Sequence, residues 1–394
     1  MINKPIYLDC HATTPMDKRV FAAMEPYFCD RFGNPGSPHH YGWETTAAIK
    51  QTRSLIADSI NASPEEIIFT SGATEANNLA IKGIAEAYMN KGKHIITVAT
   101  EHSAVLAPCK YLESLGFEIT YLPVQTNGLL DLAQLEKAIK PTTILVSVMA
   151  ANNEIGVIQR LKEIGAICRQ QQILFHTDAA QAISKIPLDV SDLKIDLMSL
   201  TAHKIYGPKG IGALYVRQQG QKVRLAAQLH GGGQEQGFRS GTLAVPQIIG
   251  FAKAIELGMQ TMETENQSTL KLRNQLWQSL ESLPGIHLNG DFQQRLSGNL
   301  NFSIEGVDVS SLLSELVPTV ALSSGSACTS ASHKPSHVLQ ALGRDRQLAL
   351  SSLRLGIGRF NTKEEIDFVA KQLQAVINSL RQANHWQPMA TTNK

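Results

Sequence analysis

The sequence predicts an α/β protein built on a mostly parallel, doubly wound sheet, with a smaller second part toward the C-terminus. Three observations lead there. Short apolar runs of strand type, among them Glu66-Ile-Ile-Phe-Thr70, Thr143-Ile-Leu-Val-Ser-Val-Met149 and Ile173-Leu-Phe-His-Thr-Asp178, alternate with helical stretches. A length of 394 residues exceeds what one small core organises. The stretch from Asp196 to Gly212 begins as an apolar run, passes through Thr201, Ala202 and His203 to Lys204, and then breaks into Gly207-Pro208. That is a strand end delivering a single amine.

Taken in order, residues 5–9 read as a short strand and 16–28 as helical, with a turn-rich loop over 32–38. His39 and His40 sit beside that loop without carboxylate or cysteine at ligand spacing, so they read as loop histidines. Helix follows over 42–59, then strand 66–70, the small-residue turn Ser71-Gly-Ala-Thr74 and a helix over 75–90. Strands over 93–99, 117–122, 143–149 and 173–178 are separated by helices over 104–115, 132–139 and 164–170. After the lysine turn come a strand over 212–216, a second apolar alternation over 223–229 that also reads as strand, and two glycine-bearing runs at 230–235 and 239–242. A long helix from Pro246 to about Leu283 bridges to the second part, which begins near Gly285. That part holds a strand over 298–304, a helix over 310–316, Arg354 on a strand and a closing helix over 363–380. The polar tail after Ala383 reads as frayed.

Composition bounds the function. With 43% hydrophobic and 18% charged residues, neither a disordered nor a fibrous class fits. A net charge of +2 recruits neither nucleic acid nor a membrane surface, and no apolar run approaches the roughly 18 residues of a membrane span. The cysteines Cys10, Cys29, Cys109, Cys168 and Cys328 are scattered and odd in number, which argues against a disulfide framework or a structural zinc site. No signal or transit pattern is read at the N-terminus. The expectation is a cytoplasmic protein of bacterial type.

Several residues carry candidate chemistry, each beside a plainer reading. Lys204, desolvated by its apolar run and held by the Gly-Pro turn, suits a Schiff base; a solvated surface lysine is the alternative. The turn 71–74, between a strand and a helix N-terminus, suits a phosphate, unless Ser71 or Thr74 simply caps the helix. His102, where a strand meets a helix, either stacks on an aromatic cofactor and exchanges protons or caps the helix. Asp178 ends a strand 26 residues before Lys204 (204 − 178), placing both on one sheet edge. Its carboxylate can hold a pyridinium nitrogen protonated, or cap a helix. Arg354 suits a substrate carboxylate or a surface ion pair. Cys328, amid Ser323-Ser-Gly-Ser-Ala-Cys-Thr-Ser-Ala-Ser332, reads as an exposed thiol in a run with little to pack, or a linker.

As a set, Phe69-Thr-Ser-Gly-Ala-Thr-Glu75, Asn152-Asn-Glu-Ile-Gly156, His203-Lys-Ile-Tyr-Gly-Pro-Lys-Gly210, His230-Gly-Gly-Gly-Gln-Glu235, Arg239-Ser-Gly-Thr242 and Ser323-Ser-Gly-Ser-Ala-Cys-Thr329 resemble the cysteine desulfurases of the NifS and IscS type. These are class V, fold-type I pyridoxal phosphate enzymes. The match runs from Tyr7 past Arg359, and the long cysteine loop is similar to the first group of that family. The resemblance implies a large cofactor domain over 16–262 with a mostly parallel seven-stranded sheet. It implies a smaller α+β domain from 1–15 and 263–394, carrying a mobile cysteine loop at about 323–334.

It further implies pyridoxal 5′-phosphate on Lys204, with His102 as ring-stacking acid/base, Asp178 on the pyridine nitrogen and Gln181 on the ring hydroxyl. Ala73, Thr74, Thr201 and His203 cradle the phosphate in this reading, joined by Thr242 across a homodimer interface. Asn153, Arg354 and Asn34 match substrate contacts, and Cys328 matches the sulfur acceptor. The implied reaction takes L-cysteine to L-alanine, with Lys204 removing the Cα proton and the Cys328 thiolate taking the sulfur as a persulfide. The sulfur then passes to a scaffold of the IscU type for iron-sulfur clusters or toward tRNA thiolation, with no direct nucleic-acid contact. No permanent metal site is implied, only Cys328 as a transient iron-sulfur ligand. The departures are Ala180, where many relatives carry Thr, and Ala150-Ala151, where some have histidine; neither touches a named role. A selenocysteine lyase or aminotransferase of the same class, and a non-catalytic scaffold, are the rivals. Cys328 speaks against the first pair, and Lys204 with Asp178 against the second.

Overall fold

A computed structural model describes residues 4–324 and 334–387. Cys328, most of the expected cysteine loop and the last seven residues of the tail lie outside the described residues.

The chain opens with β1 (Ile6–Tyr7), then α1 (Lys18–Met24) and α2 (Pro26–Cys29) where one helix was expected. Pro26 causes the split, because it supplies no N–H and suits a helix start. Helix α3 (His40–Asp58) is capped by His39, whose Nδ1 accepts from the Gly42 amide at 3.4 Å. Both histidines of that pair therefore belong to a helix start.

The main sheet follows as β2 (Ile67–Thr70), β3 (His94–Val98), β4 (Glu118–Leu122), β5 (Thr143–Ser147), β6 (Leu174–Asp178), β7 (Leu197–Thr201) and β8 (Gly212–Val216). Its order is β2-β8-β7-β6-β5-β3-β4. Strand β8 runs antiparallel to both neighbours, so β2 and β7 point the same way as the other four. The central strands are buried along their whole length, as continuous apolar runs require once helices cover both faces. Those helices are α4 (Ala73–Tyr88), α5 (Ser103–Ser114), α6 (Leu132–Ala138), α7 (Leu161–Gln170) and the first half of α8 (Val245–Leu280).

The alternation over 223–229 does not become a strand. Val223 and Leu225 are buried as the pattern demands, yet the Ala226 amide donates to the Gly83 carbonyl of α4, with no sheet edge to join. The remaining elements are β9 (Ile286–Leu288), β10 (Asn299–Ile304), α9 (Val309–Leu316), β11 (Val320–Ala321), β12 (Ser323–Ser324), α10 (His337–Ala341), α11 (Arg346–Leu350), β13 (Ser352–Gly356) and α12 (Lys363–Ala383). They form an antiparallel sheet of order β12-β13-β10-β9 backed by α12 and the second half of α8. Helix α8 is one unbroken rod of 36 residues: Ile248, Phe251 and Ile255 sit in the main core, and Leu272, Leu276 and Leu280 in the second.

Candidate active site

Six strands run in one direction and bring their carboxyl ends to one edge, and predicted residues follow five of them. Asp178 ends β6 and pairs with Ser199 of β7, three residues before the turn that carries His203 and Lys204. His102 follows β3, Asn153 follows β5, and Ala73 begins the helix after β2. Ligands of open α/β sheets bind at this edge.

The first turn of α4 decides between phosphate and cap. Gly72 is the N-cap, at φ 150°, and no side chain caps the helix. Neither Ser71 nor Thr74 takes that role; the Ser71 amide instead meets Glu75 Oε2 at 2.8 Å. A Cβ on Gly72 would stand in ordinary contact with Thr201 Oγ1, at 3.9 Å, whereas one on Gly212 would strike Gly72 Cα at 2.7 Å, so the two glycine backbones pack closely. Thr201 is thereby set against a 16-residue helix whose leading N–H groups lack a side-chain acceptor, a seat for an anion. Arg239 closes the arrangement through Glu75, at 2.7 and 3.2 Å, and anchors the run that leads to the exposed Thr242.

Asp178 is 5% exposed. Its Oδ2 accepts from Asn77 Nδ2 at 2.6 Å and its Oδ1 from the Ala180 amide at 2.9 Å, which fix the carboxylate plane. Asn77 is a positioning partner that sequence reasoning missed; it lies 101 residues away and reads as one more polar residue on a helix. His102 does cap α5, accepting from the Ala104 amide at 3.1 Å through Nδ1. The cap and the acid/base role are compatible, because one ring nitrogen remains. Burial pulls the His102 pKa down, opposed by Asp178 and reinforced by Lys204 and His337, so the ring is neutral near pH 7.

Lys204 Nζ donates to the carbonyls of His11 at 2.5 Å and Ala12 at 2.7 Å. The turn after β1 thus meets the lysine, and meets its neighbours too. Thr13 Oγ1 pairs with His203 Nδ1 at 3.2 Å, and Gln181 Nε2 donates to the His11 carbonyl at 2.9 Å. Burial, then Lys204 and Lys209, lower the His203 pKa to about 4, so that ring is neutral. An open groove of about 420 Å³ runs from Thr74 and His102 to Tyr111. The larger cleft of about 560 Å³, between Lys4 and Phe368, holds none of the predicted residues.

Arg354, expected either at a substrate or in a surface pair, is 2% exposed in an internal pair. Its Nη2 donates to Asp9 Oδ1 at 2.8 Å and its Nη1 to the Asn153 carbonyl at 3.2 Å, while its Nε and the Asn153 Oδ1 are buried without a partner. Two unsatisfied polar atoms on adjoining side chains mark a place for a polar ligand. Asp9 also accepts from Ser323 Oγ at 2.8 Å. Asn34 lies in an exposed loop, where its Oδ1 accepts from the Gly36 amide at 2.9 Å.

A family model described as Aminotransferase class-V matches residues 6–369. The chain belongs to the class-V aminotransferase family. Among the curated relatives of this class-V chain, a cysteine desulfurase IscS from Neisseria meningitidis is 53% identical over 382 residues, 97% of this chain and 94% of that one. A solved NifS-like protein superposes with a TM-score of 0.89 at 36% identity, covering 95% of this chain and 100% of that one. A structure of SspA in complex with cysteine gives 0.80 at 38% identity, over 91% and 100%. Class-V enzymes of this kind use pyridoxal 5′-phosphate, and the residues present fit it. An uncapped helix start beside Thr201 suits the phosphate, buried Asp178 the ring nitrogen, and Lys204 the aldehyde carbon.

Proposed function

We infer that this class-V enzyme is a cysteine desulfurase, converting L-cysteine to L-alanine and passing the sulfur to Cys328 as a persulfide. The observation that carries the reading is the convergence of Lys204, buried Asp178, neutral His102 and an uncapped α4 on one sheet edge. Pyridoxal phosphate held here would supply an aldehyde carbon on which the substrate amine replaces Lys204, and a ring that draws electrons from Cα. The chain's own residues do the rest. Arg354 donates its spare Nε–H to the substrate carboxylate, and Asn153 joins it through the N–H of its side-chain amide. Asp178 keeps the ring nitrogen protonated, Gln181 reaches the ring hydroxyl, and His102 lies on the ring face. Ala73, Thr74, Thr201 and His203 bind the phosphate, with Thr242 supplied by a second subunit. Lys204 Nζ takes the Cα proton and returns it. Cys328 Sγ, as thiolate, attacks the substrate sulfur, so that an S–S bond forms as the Cβ–S bond breaks, and Cβ keeps the electron pair and takes up a proton to become the methyl group of alanine.

The two cores support a division at 16–262 against 1–15 plus 263–394, with α8 rooted in both. The physiological form in this reading is a cytoplasmic homodimer that hands sulfur to an IscU-type scaffold for iron-sulfur clusters. Among the described residues no helix is long and apolar enough to cross a membrane, and Cys10, Cys29, Cys109 and Cys168 are unpaired, in keeping with a reducing compartment. The test is sulfide release from L-cysteine with an added thiol. Wild-type protein should be yellow and active, Lys204→Ala colourless and inactive, and Cys328→Ala yellow but unable to transfer sulfur. Full sulfur transfer by Cys328→Ala would refute the role of that thiol.

A further inference from the structure

The Cys10-His11-Ala12 turn contains a residue that the reaction as derived leaves unused. His11 is 4% exposed, and its ring is bound on one side only. Nδ1 faces Gln181 Oε1 at 3.1 Å, while Gln181 Nε2 donates back to the His11 carbonyl at 2.9 Å. Because the amide nitrogen is already committed to that carbonyl, the atom facing the ring is the oxygen, which assigns the ring proton to Nδ1. Burial, with Lys185, Arg354 and Lys204 nearby, holds the imidazole neutral. Lys185 Nζ completes the Gln181 oxygen at 3.3 Å. The two-point clamp fixes which way the Gln181 amide faces and leaves its second N–H available. It also fixes the His11 carbonyl, and that oxygen, with Ala12 O, receives the Lys204 amine.

We propose that His11 is a positioning residue: its Nδ1–H clamps Gln181 and so holds the carbonyl pair on which the Lys204 amine rests when it is not joined to the cofactor. The clamp rests on the pyridoxal phosphate reading above. It acts at two places at once, aligning the donor for the ring hydroxyl and the lysine that carries the Cα proton. Misalignment of a proton carrier by about 1 Å costs one to two orders of magnitude in rate without disturbing substrate binding.

The test uses the holoenzyme and two readouts: exchange of the Cα proton of L-alanine for deuterium in D₂O, followed by NMR, and the position of the visible absorption band without substrate. His11→Leu should slow exchange about tenfold, leave the KM for L-cysteine within about twofold, and shift the band. His11→Asn places an amide N–H near the Nδ1 position and should restore both readouts to within about twofold. In a Gln181→Ala background, adding His11→Leu should cost nothing further, because the clamp is already open. His11→Ala replaces the leucine variant if that one does not fold. An apolar variant exchanging at the wild-type rate with an unmoved band, an asparagine variant as impaired as leucine, or additive losses in the double variant would each overturn the proposal. Wild-type protein with no visible band and no exchange would instead overturn the cofactor reading, so the two failures are distinguishable.

Discussion

Replacing Asp9 by alanine should destabilise the enzyme far more than an exposed ion-pair loss would. Arg354 is 2% exposed, and it donates to Asp9 Oδ1 at 2.8 Å and to the Asn153 carbonyl at 3.2 Å. Asp9→Ala strips the counter-charge and leaves a guanidinium facing one carbonyl in a buried site. Breaking a buried pair by removing one partner costs about 3–5 kcal/mol. Asp9 is itself 17% exposed, so water reaches the gap, and the lower end, about 3 kcal/mol, is expected. Adding Arg354→Leu should recover all but about 1 kcal/mol, since an apolar residue of similar size needs no counter-charge. Arg354→Leu should also raise the KM for L-cysteine about a hundredfold, the equivalent of about 2.7 kcal/mol, by removing the carboxylate partner. Urea unfolding of the four holoproteins closes the double-mutant cycle. If Asp9→Ala unfolds at the wild-type midpoint, or the double variant is the sum of the singles, Arg354 does not depend on Asp9 for its counter-charge.

Gly72→Ala forces a side chain onto a backbone at φ 150°, and the strain at this helix start should weaken pyridoxal phosphate binding to the apoprotein about tenfold, measured by recovery of the visible band. Asn77→Ala removes the 2.6 Å donor to Asp178 Oδ2 and should move the pH titration of the visible band while leaving the KM for L-cysteine nearly unchanged. Burial raises the Glu154 pKa from its ordinary 4.5 to about 7, against the opposing Ser336 hydroxyl and Arg354. The folded state therefore holds a proton that the unfolded chain releases between those values, and stability falls as pH rises through that window. Glu154→Gln should flatten that fall in urea midpoints measured from pH 4.5 to 7, and an unchanged slope would count against it.

The sheet was legible because its strands are short apolar runs buried on both faces, so burial and sequence pattern coincide in β5 and β7. The pattern over 223–229 misled for the same reason: it reported burial correctly at Val223 and Leu225, but burial against α4 needs no strand partner. Strand β1 is two residues long because its register is set by β11, more than 300 residues away, which no local signal carries. In the site, residues at strand ends could be found from position and type. Their supports could not, since Asp9 meets Arg354 across 345 residues, His11 meets Gln181 across 170, and Ser336 meets Glu154 across 182. The only local hint was the density of small polar groups in Asp9 to Thr14.

Helix α8, about 54 Å long at 1.5 Å per residue, works as a shared axle. Melting either core would strip one half of it while the other half stayed gripped, and the exposed leucines of the freed end would find nothing to cover them. Heating should therefore collapse the whole molecule in a single calorimetric peak, and a proline inserted at mid-rod, near Gln267, should split that peak in two.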